Sequence, residues 1–201
     1  MEAGHDSFTD PPWILKLVEF TQKVLAQDRV RTIGVCFGHQ IVARAMGVEV
    51  GRNKEGWEAA VNDVELTEKG KEVFGVEVLV SSPSINSFLG RISGRGREVL
   101  TQNEQSLHQM HRDVVFAYPE GVEELGSSPV CGVQGMYSPR RLITVQGHPE
   151  FNEEIMTEII ETRHQLGIFD DQVYRQHMEK VPKKHDGLVV SRAFLTFLMD
   201  E

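Results

Sequence analysis

The sequence predicts an α/β protein, a sandwich of helices around a mixed sheet. Apolar runs of strand length alternate with amphipathic helical patterns along the chain. Strand-like runs crowd the middle, and a glycine-flanked cysteine sits where one strand gives way to a helix. At 201 residues, with no internal repeat or linker-like stretch, residues 1–201 read as a single domain able to bury a core.

Pro11 and Pro12 precede "WILKLVEFTQKVL", where Ile14, Leu15, Leu17, Val18, Val24 and Leu25 suit an amphipathic helix. "VRTIGV" then reads as a short buried strand, and "GHQIVARAMG" as a helix closed by Gly47. "WEAAVNDVEL" alternates in part, through Val61, Val64 and Leu66, as a half-buried strand does. "VEVLVSS", "EVLTQN", "SLHQM", "VCGVQGMY" and "RLITVQG" are further strand candidates. In "EEIMTEIIETRHQLG", Ile155, Ile159, Ile160 and Leu166 mark one helix face and Gly167 its stop. A final helix is expected over "GLVVSRAFLTFLMD", with Asp186 as N-cap.

The formal net charge of −9, with no basic stripe, argues against nucleic-acid binding. No apolar run approaches the ~20 residues that span a bilayer, so no membrane partner is expected. The N-terminus lacks the basic and apolar regions of a signal peptide, and the two cysteines, Cys36 and Cys131, make no disulfide scaffold. A cytoplasmic setting is the expectation.

"GVCFGHQ" places Cys36 between Gly34 and Gly38, the cysteine counterpart of a nucleophile elbow. Such a turn strains the nucleophile's backbone, and small residues two positions to either side are expected to avoid collision. The helix start behind it favours thiolate, and the N–H of Phe37 is available to a developing oxyanion. Alone, the same pattern also describes a buried structural cysteine in a βα turn.

"RLITVQGHPEF" supplies the second half. A thiol nucleophile needs a base, and the base needs an orienting partner. His148 can serve as base, and Glu150 can fix its tautomer, since Pro149 keeps the segment extended and lets the two project the same way. Both motifs follow strands, and ligands in open α/β sheets bind at strand C-terminal ends. An α/β hydrolase with a cysteine nucleophile ranks lower, because there the acid precedes the histidine in the chain.

Gly34, Cys36, Gly38 and Gln40, with His148, Pro149 and Glu150, resemble the motifs of the class I glutamine amidotransferases. In particular they resemble stand-alone proteins similar to the amidotransferase domain of GMP synthase; "HQMHRD" and "VQGMY" add to the likeness. The resemblance implies a flavodoxin-like three-layer sandwich with a mostly parallel mixed sheet. It also implies that Cys36 attacks a γ-glutamyl amide, with a thioester intermediate that His148 helps to form and Glu150 supports. Phe37 would then furnish an oxyanion N–H, Gln40 and Gly38 would seat the substrate, and no cofactor or metal would be needed. A lesser binding role falls to His111, although a solvated polar loop is the simpler reading of that stretch.

The implied substrate is glutamine or a γ-glutamyl peptide, and the implied partner a synthase or other biosynthetic protein that accepts ammonia. The family's early Gly-Ser segment is matched only in part, by His5, Asp6 and Phe8 in "EAGHDSF", with Gly4 one position late. The resemblance therefore suggests a shortened member whose first strands are missing. The alternative function is a catalytically weak or inactive amidotransferase-like subunit that binds a biosynthetic partner. Cys131 is expected to be buried and inert, His164, His177 and His185 to lie at the surface, and "GRISGRGREV" to form a surface turn.

Overall fold

A computed structural model describes residues 5–75 and 104–200. The helix after Pro11 is α1 (Pro12–Leu25), started by proline at its first position. The first strand, β1 (Thr32–Val35), turns directly at Cys36 into α2 (Phe37–Ala45). Gly47 follows with φ +83°, as a helix-terminating glycine should. A short β2 (Val50–Arg52) leads to the nine-residue β3 (Glu58–Leu66) and to α3 (Glu68–Phe74). Thr67 caps α3 by accepting from the Gly70 N–H, and Gly75 closes it at φ +70°.

The second described segment begins with β4 (Glu104–His111) and β5 (Asp113–Val115), then the hairpin β6 (Glu123–Ser128) and β7 (Cys131–Ser138). Next come β8 (Leu142–Val145), α4 (Glu153–Gln165), α5 (Asp171–Met178) and α6 (Gly187–Met199). Asn152 caps α4 by accepting from Ile155 N–H at 2.9 Å. The strands anticipated at "VEVLVSS" and "EVLTQN", and the turn at "GRISGRGREV", lie outside the described residues. Asp186 occupies the N-cap position of α6 but makes no cap bond; its carboxylate accepts from the Ser106 N–H at 2.8 Å and ties the helix to β4.

The main sheet runs β1-β8-β7-β6-β3-β4, and β2 pairs with β5 apart from it. It is mixed, as anticipated, but among the described residues only β1 and β8 run parallel. The β6–β7 and β7–β8 connections are too short for the crossover that a parallel pair needs, so those strands return antiparallel.

Helices cover both faces. Ile143 and Val145 point into a cluster with Val190 and Phe197 of α6, whereas Leu142 joins Val42 and Ala43 of α2. The three layers thus follow from strand alternation on β8. A third cluster seats Met156 and Ile160 of α4 against Ala59, Ala60 and Met110, which puts the last turn of α4 beside the same sheet edge as the cysteine pocket. Among the described residues no helix is long and apolar enough to cross a membrane.

Candidate functional site

The parallel pair is what brings the two motifs together. Register pairs Gly34 with Thr144 and Val35 with Val145, so both chains leave the sheet side by side. The Cys36 N–H then donates to the Val145 carbonyl at 2.9 Å, one residue beyond the ladder. Cys36 has φ +48° and ψ −102°, a strained conformation for a residue with a side chain, at the turn where the strand becomes a helix.

Gly34 makes that turn feasible. A Cβ there would stand 2.9 Å from Thr144 Cγ2 and 3.0 Å from the Gly38 carbonyl carbon. The same demand, expected at Gly38, is not met: a Cβ on Gly38 would touch nothing within 4 Å. Close packing selects glycine at the first position, and Gly38 instead leaves open space. His39, fully buried, fastens the new helix to β8 through a 2.9 Å hydrogen bond between Nδ1 and Thr144 Oγ1. Burial pushes its pKa down to about 3, so it stays neutral.

Beyond the end of β8, His148 Nδ1 lies 2.8 Å from Glu150 Oε1, and the imidazole stacks on Phe151 with centroids 4.0 Å apart. Its backbone N–H donates to the His108 carbonyl at 2.8 Å. Burial opposes protonation of His148, but hydrogen bonding and charge from Cys36 and Glu150 outweigh it and raise the pKa to about 9. The carboxyl of Glu150 is held below its usual range: burial resists, and the His148 hydrogen bond prevails.

A pH experiment follows from the sign of that shift. A histidine whose folded pKa exceeds its unfolded value stabilises the fold fully below pH ~6.5 and loses that contribution as pH climbs through about 9. Glu150→Gln removes one source of the shift, and Glu150 is 54% exposed, so the effect is modest. Its melting temperature should fall below that of the parent by roughly 2–4 °C at pH 6. The two curves should converge above pH 9.

The Gln40 side chain, expected to seat substrate, is held in a hydrogen-bonded relay. Its Oε1 accepts from Ser7 at 2.6 Å, while its Nε2 donates to the Asp113 carbonyl at 2.8 Å and to Gln146 Oε1 at 3.0 Å. Gln146 in turn points Nε2 at Cys36 Sγ, 3.5 Å away. Gln40 borders the pocket with its side-chain polar atoms engaged in this relay. Gln146 stands in the run "TVQGH", directly before the histidine motif, but nothing in its spacing marks it.

His108 and His111 are not on a solvated loop. Both lie in β4 and are buried, because β4 pairs along its whole length with β3. His111 borders the pocket, with Nε2 2.9 Å from Glu58 Oε2, which also accepts from Gln134 Nε2 at 2.9 Å. Glu58, His111 and Cys131 have donor atoms within 4.8 Å of one another, the one metal-capable group among the described residues. The Glu58 carboxylate is already engaged by two donors, and burial together with Glu58 pushes the Cys131 thiol up to about 12. This donor set suits a hydrogen-bonded network better than an ion.

His164, His177 and His185 are half-buried rather than at the surface, each packed against another ring: Tyr174, Phe169 and His108 respectively. His164 is brought to Tyr174 by the packing of α4 against α5, and His185, just before α6, is brought to β4. Cys131, 1% exposed and free, is the buried thiol expected.

Above Cys36 opens a cavity of about 440 Å³. Trp13 stacks on Phe37 at 5.9 Å, and His5 meets Trp13 edge-on at 4.9 Å, forming one aromatic wall. Phe37 is the first residue of α2, so its N–H has no partner within the helix. Asp6, Arg52, Trp57, Asp113 and Arg163 supply much of the remainder.

Residues 7–165 match the sequence profile of the class I glutamine amidotransferases. The chain belongs to that family. It is 32% identical over 193 residues to a glutamine amidotransferase-like protein of Schizosaccharomyces pombe, covering 96% of this chain and 67% of the relative. Gamma-glutamyl peptidase 3 of Arabidopsis thaliana is 31% identical, over 79% of this chain and 56% of the relative. The chain spans between about half and two thirds of the length of these curated relatives. A glutamine amidotransferase from Thermotoga maritima shares the class I amidotransferase fold, with TM-score 0.69 at 18% identity over 99% of this chain and 76% of that one.

Proposed function

We propose that this amidotransferase-family chain hydrolyses a γ-glutamyl amide through a thioester on Cys36, and that its preferred substrate is a γ-glutamyl peptide. The observation that carries the reading is the parallel β1–β8 pair, which delivers a strained cysteine and a carboxylate-bound histidine to adjoining strand ends.

In this reading the Cys36 thiolate attacks the γ-carbonyl carbon, and the oxygen takes up negative charge opposite the Phe37 N–H. His148, a cation at neutral pH by virtue of its raised pKa, gives its proton to the departing nitrogen. The amine leaves, and the γ-glutamyl group remains on sulfur. Neutral His148 then takes a proton from water as that water attacks the thioester. Glutamate departs and the imidazolium is restored. Glu150 keeps Nδ1 protonated throughout, leaving Nε2 for these transfers.

Support for a peptide comes from the cavity, which exceeds the volume of a single glutamine, and from relatives named γ-glutamyl peptidases. A second reading, an ammonia-supplying amidotransferase with a synthase partner, draws on a relative in Methanoculleus marisnigri named as a subunit of glutamine-hydrolysing GMP synthase. That relative is 27% identical over 61% of this chain and 53% of its own length. Glycine release from γ-glutamylglycine and ammonia release from glutamine, measured side by side, separate the two. Faster glycine release is the expected result; turnover of glutamine alone supports the synthase-coupled reading, and turnover of neither sinks both.

A further inference from the structure

The cavity over Cys36 is lined in part by Arg163, whose Nε–H has no partner among the described residues. Arg163, in the last turn of α4, places its guanidinium over the Trp57 ring at 5.3 Å, and Trp57 is itself braced edge-on by Phe169 at 5.5 Å. Its Nε is buried and has no hydrogen-bond partner, and among the described residues no carboxylate lies within ion-pair distance of it. Arg52 in the same cavity is already paired, 2.6 Å from Asp6 and 3.1 Å from Asp113.

A helix-terminal cation can be satisfied by the helix dipole and an aromatic face alone. Those two partners explain the charge but not the buried donor. A guanidinium carries its N–H groups in a fixed planar fork, and leaving the buried Nε–H unpaired costs free energy that neither a ring face nor a dipole returns. The missing component is a planar anion arriving from the cavity side. Burial pushes the Arg163 pKa down and the charge of Cys36 pushes it up, which places the two groups in one electrostatic neighbourhood.

We propose that Arg163 is the pocket's carboxylate receptor, its fork pairing with a carboxylate of the substrate whose γ-carbonyl lies at Cys36. This inference rests on the γ-glutamyl reading above. A γ-glutamyl peptide offers two such groups, the α-carboxylate of the glutamyl part and the carboxylate of the leaving amino acid. Stacking on the braced Trp57 holds the fork in plane, so the receptor is set before substrate arrives.

The test measures binding by calorimetry in the full chain carrying Cys36→Ala, which cannot turn over. Ligands are glutamine, γ-glutamylglycine, γ-glutamylglycinamide and 4-aminobutanamide, the last being glutamine without its α-carboxylate. Arg163→Met should weaken carboxylate-bearing ligands by about tenfold to a hundredfold. Arg163→Lys should recover part of that loss. A loss shared by glutamine and both peptides, larger than any on 4-aminobutanamide, assigns the α-carboxylate; a loss on γ-glutamylglycine that its glycinamide escapes assigns the leaving group.

Equal weakening of all four ligands, weakening of none, or no binding to the Arg163 chain overturns the proposal. Hydrolysis assayed in parallel with Cys36 intact keeps the two ideas apart. Carboxylate binding without turnover sinks the hydrolase reading alone. Turnover indifferent to Arg163→Met sinks the receptor alone.

Discussion

Cys36→Ala is expected to reduce γ-glutamyl amide hydrolysis to the uncatalysed background, a loss of at least about 10³-fold, while the chain still folds. No second thiol lines the cavity among the described residues: Cys131 lies outside its lining, buried, with its pKa pushed up to about 12. A companion variant reads out the strain of the elbow. Glycine accepts φ +48° without penalty and alanine does not, so Cys36→Gly should be equally inactive yet more stable than Cys36→Ala, by about 1 kcal/mol. Melting curves of the two variants, recorded beside residual activity, check both halves. Equal melting would mean that the turn stores no strain.

The second large effect is expected at His148. His148→Asn keeps a polar group beside Glu150 but cannot shuttle a proton at neutral pH, and should lower kcat/KM for γ-glutamylglycine by about 10²- to 10⁴-fold. The pH profile should change as well, since the group raised to about 9 in the parent is gone. A variant that kept most of its activity, or kept the parent's pH profile, would show that the imidazole only packs against Phe151.

The candidate site was legible in the sequence, and much of its support was not. Cys36, His148 and Glu150 could be singled out because ordinary packing seldom calls for such residues where they stand: a glycine-flanked turn, and a proline-spaced pair after an apolar strand. Most helices with strong apolar periodicity, α1, α4 and α6, lie where their patterns put them. By contrast α5, whose apolar face of Val173, Tyr174 and Met178 spans only eight residues, and α3, only seven residues long, are too short for their patterns to stand out. The parallel share of the sheet was overestimated because strand direction depends on connections, not on the composition of the strands. "SLHQM" reads as a strand through His108, but His111 and the residues after it looked like a solvated polar loop. The burial of both histidines is set by pairing with β3, a partner more than forty residues away in the chain. Gln146 and Arg163 were invisible for a related reason: what distinguishes each is a neighbour brought in by the fold, the Cys36 sulfur for one and the Trp57 ring for the other.

The Gln40 relay shows how a motif residue can act at one remove. Ser7, Gln40 and Gln146 form a hydrogen-bonded line that ends at the Cys36 sulfur, so the Gln40 side chain is coupled to that sulfur as well as bordering the cavity. Gly34 and Gly38 diverge in the same way. One is demanded by the Thr144 methyl and the Gly38 backbone, and a Cβ on the other would meet nothing within 4 Å.

The most direct measurement is mass spectrometry of the folded chain after brief exposure to an electrophilic glutamine analogue, such as a diazo ketone. The account predicts one adduct, on Cys36, slowed by His148→Asn, with Cys131 modified only after denaturation. Equal labelling of Cys36 and Cys131 in the folded chain, or a Cys36 that reacts no faster when His148 is present, would contradict it.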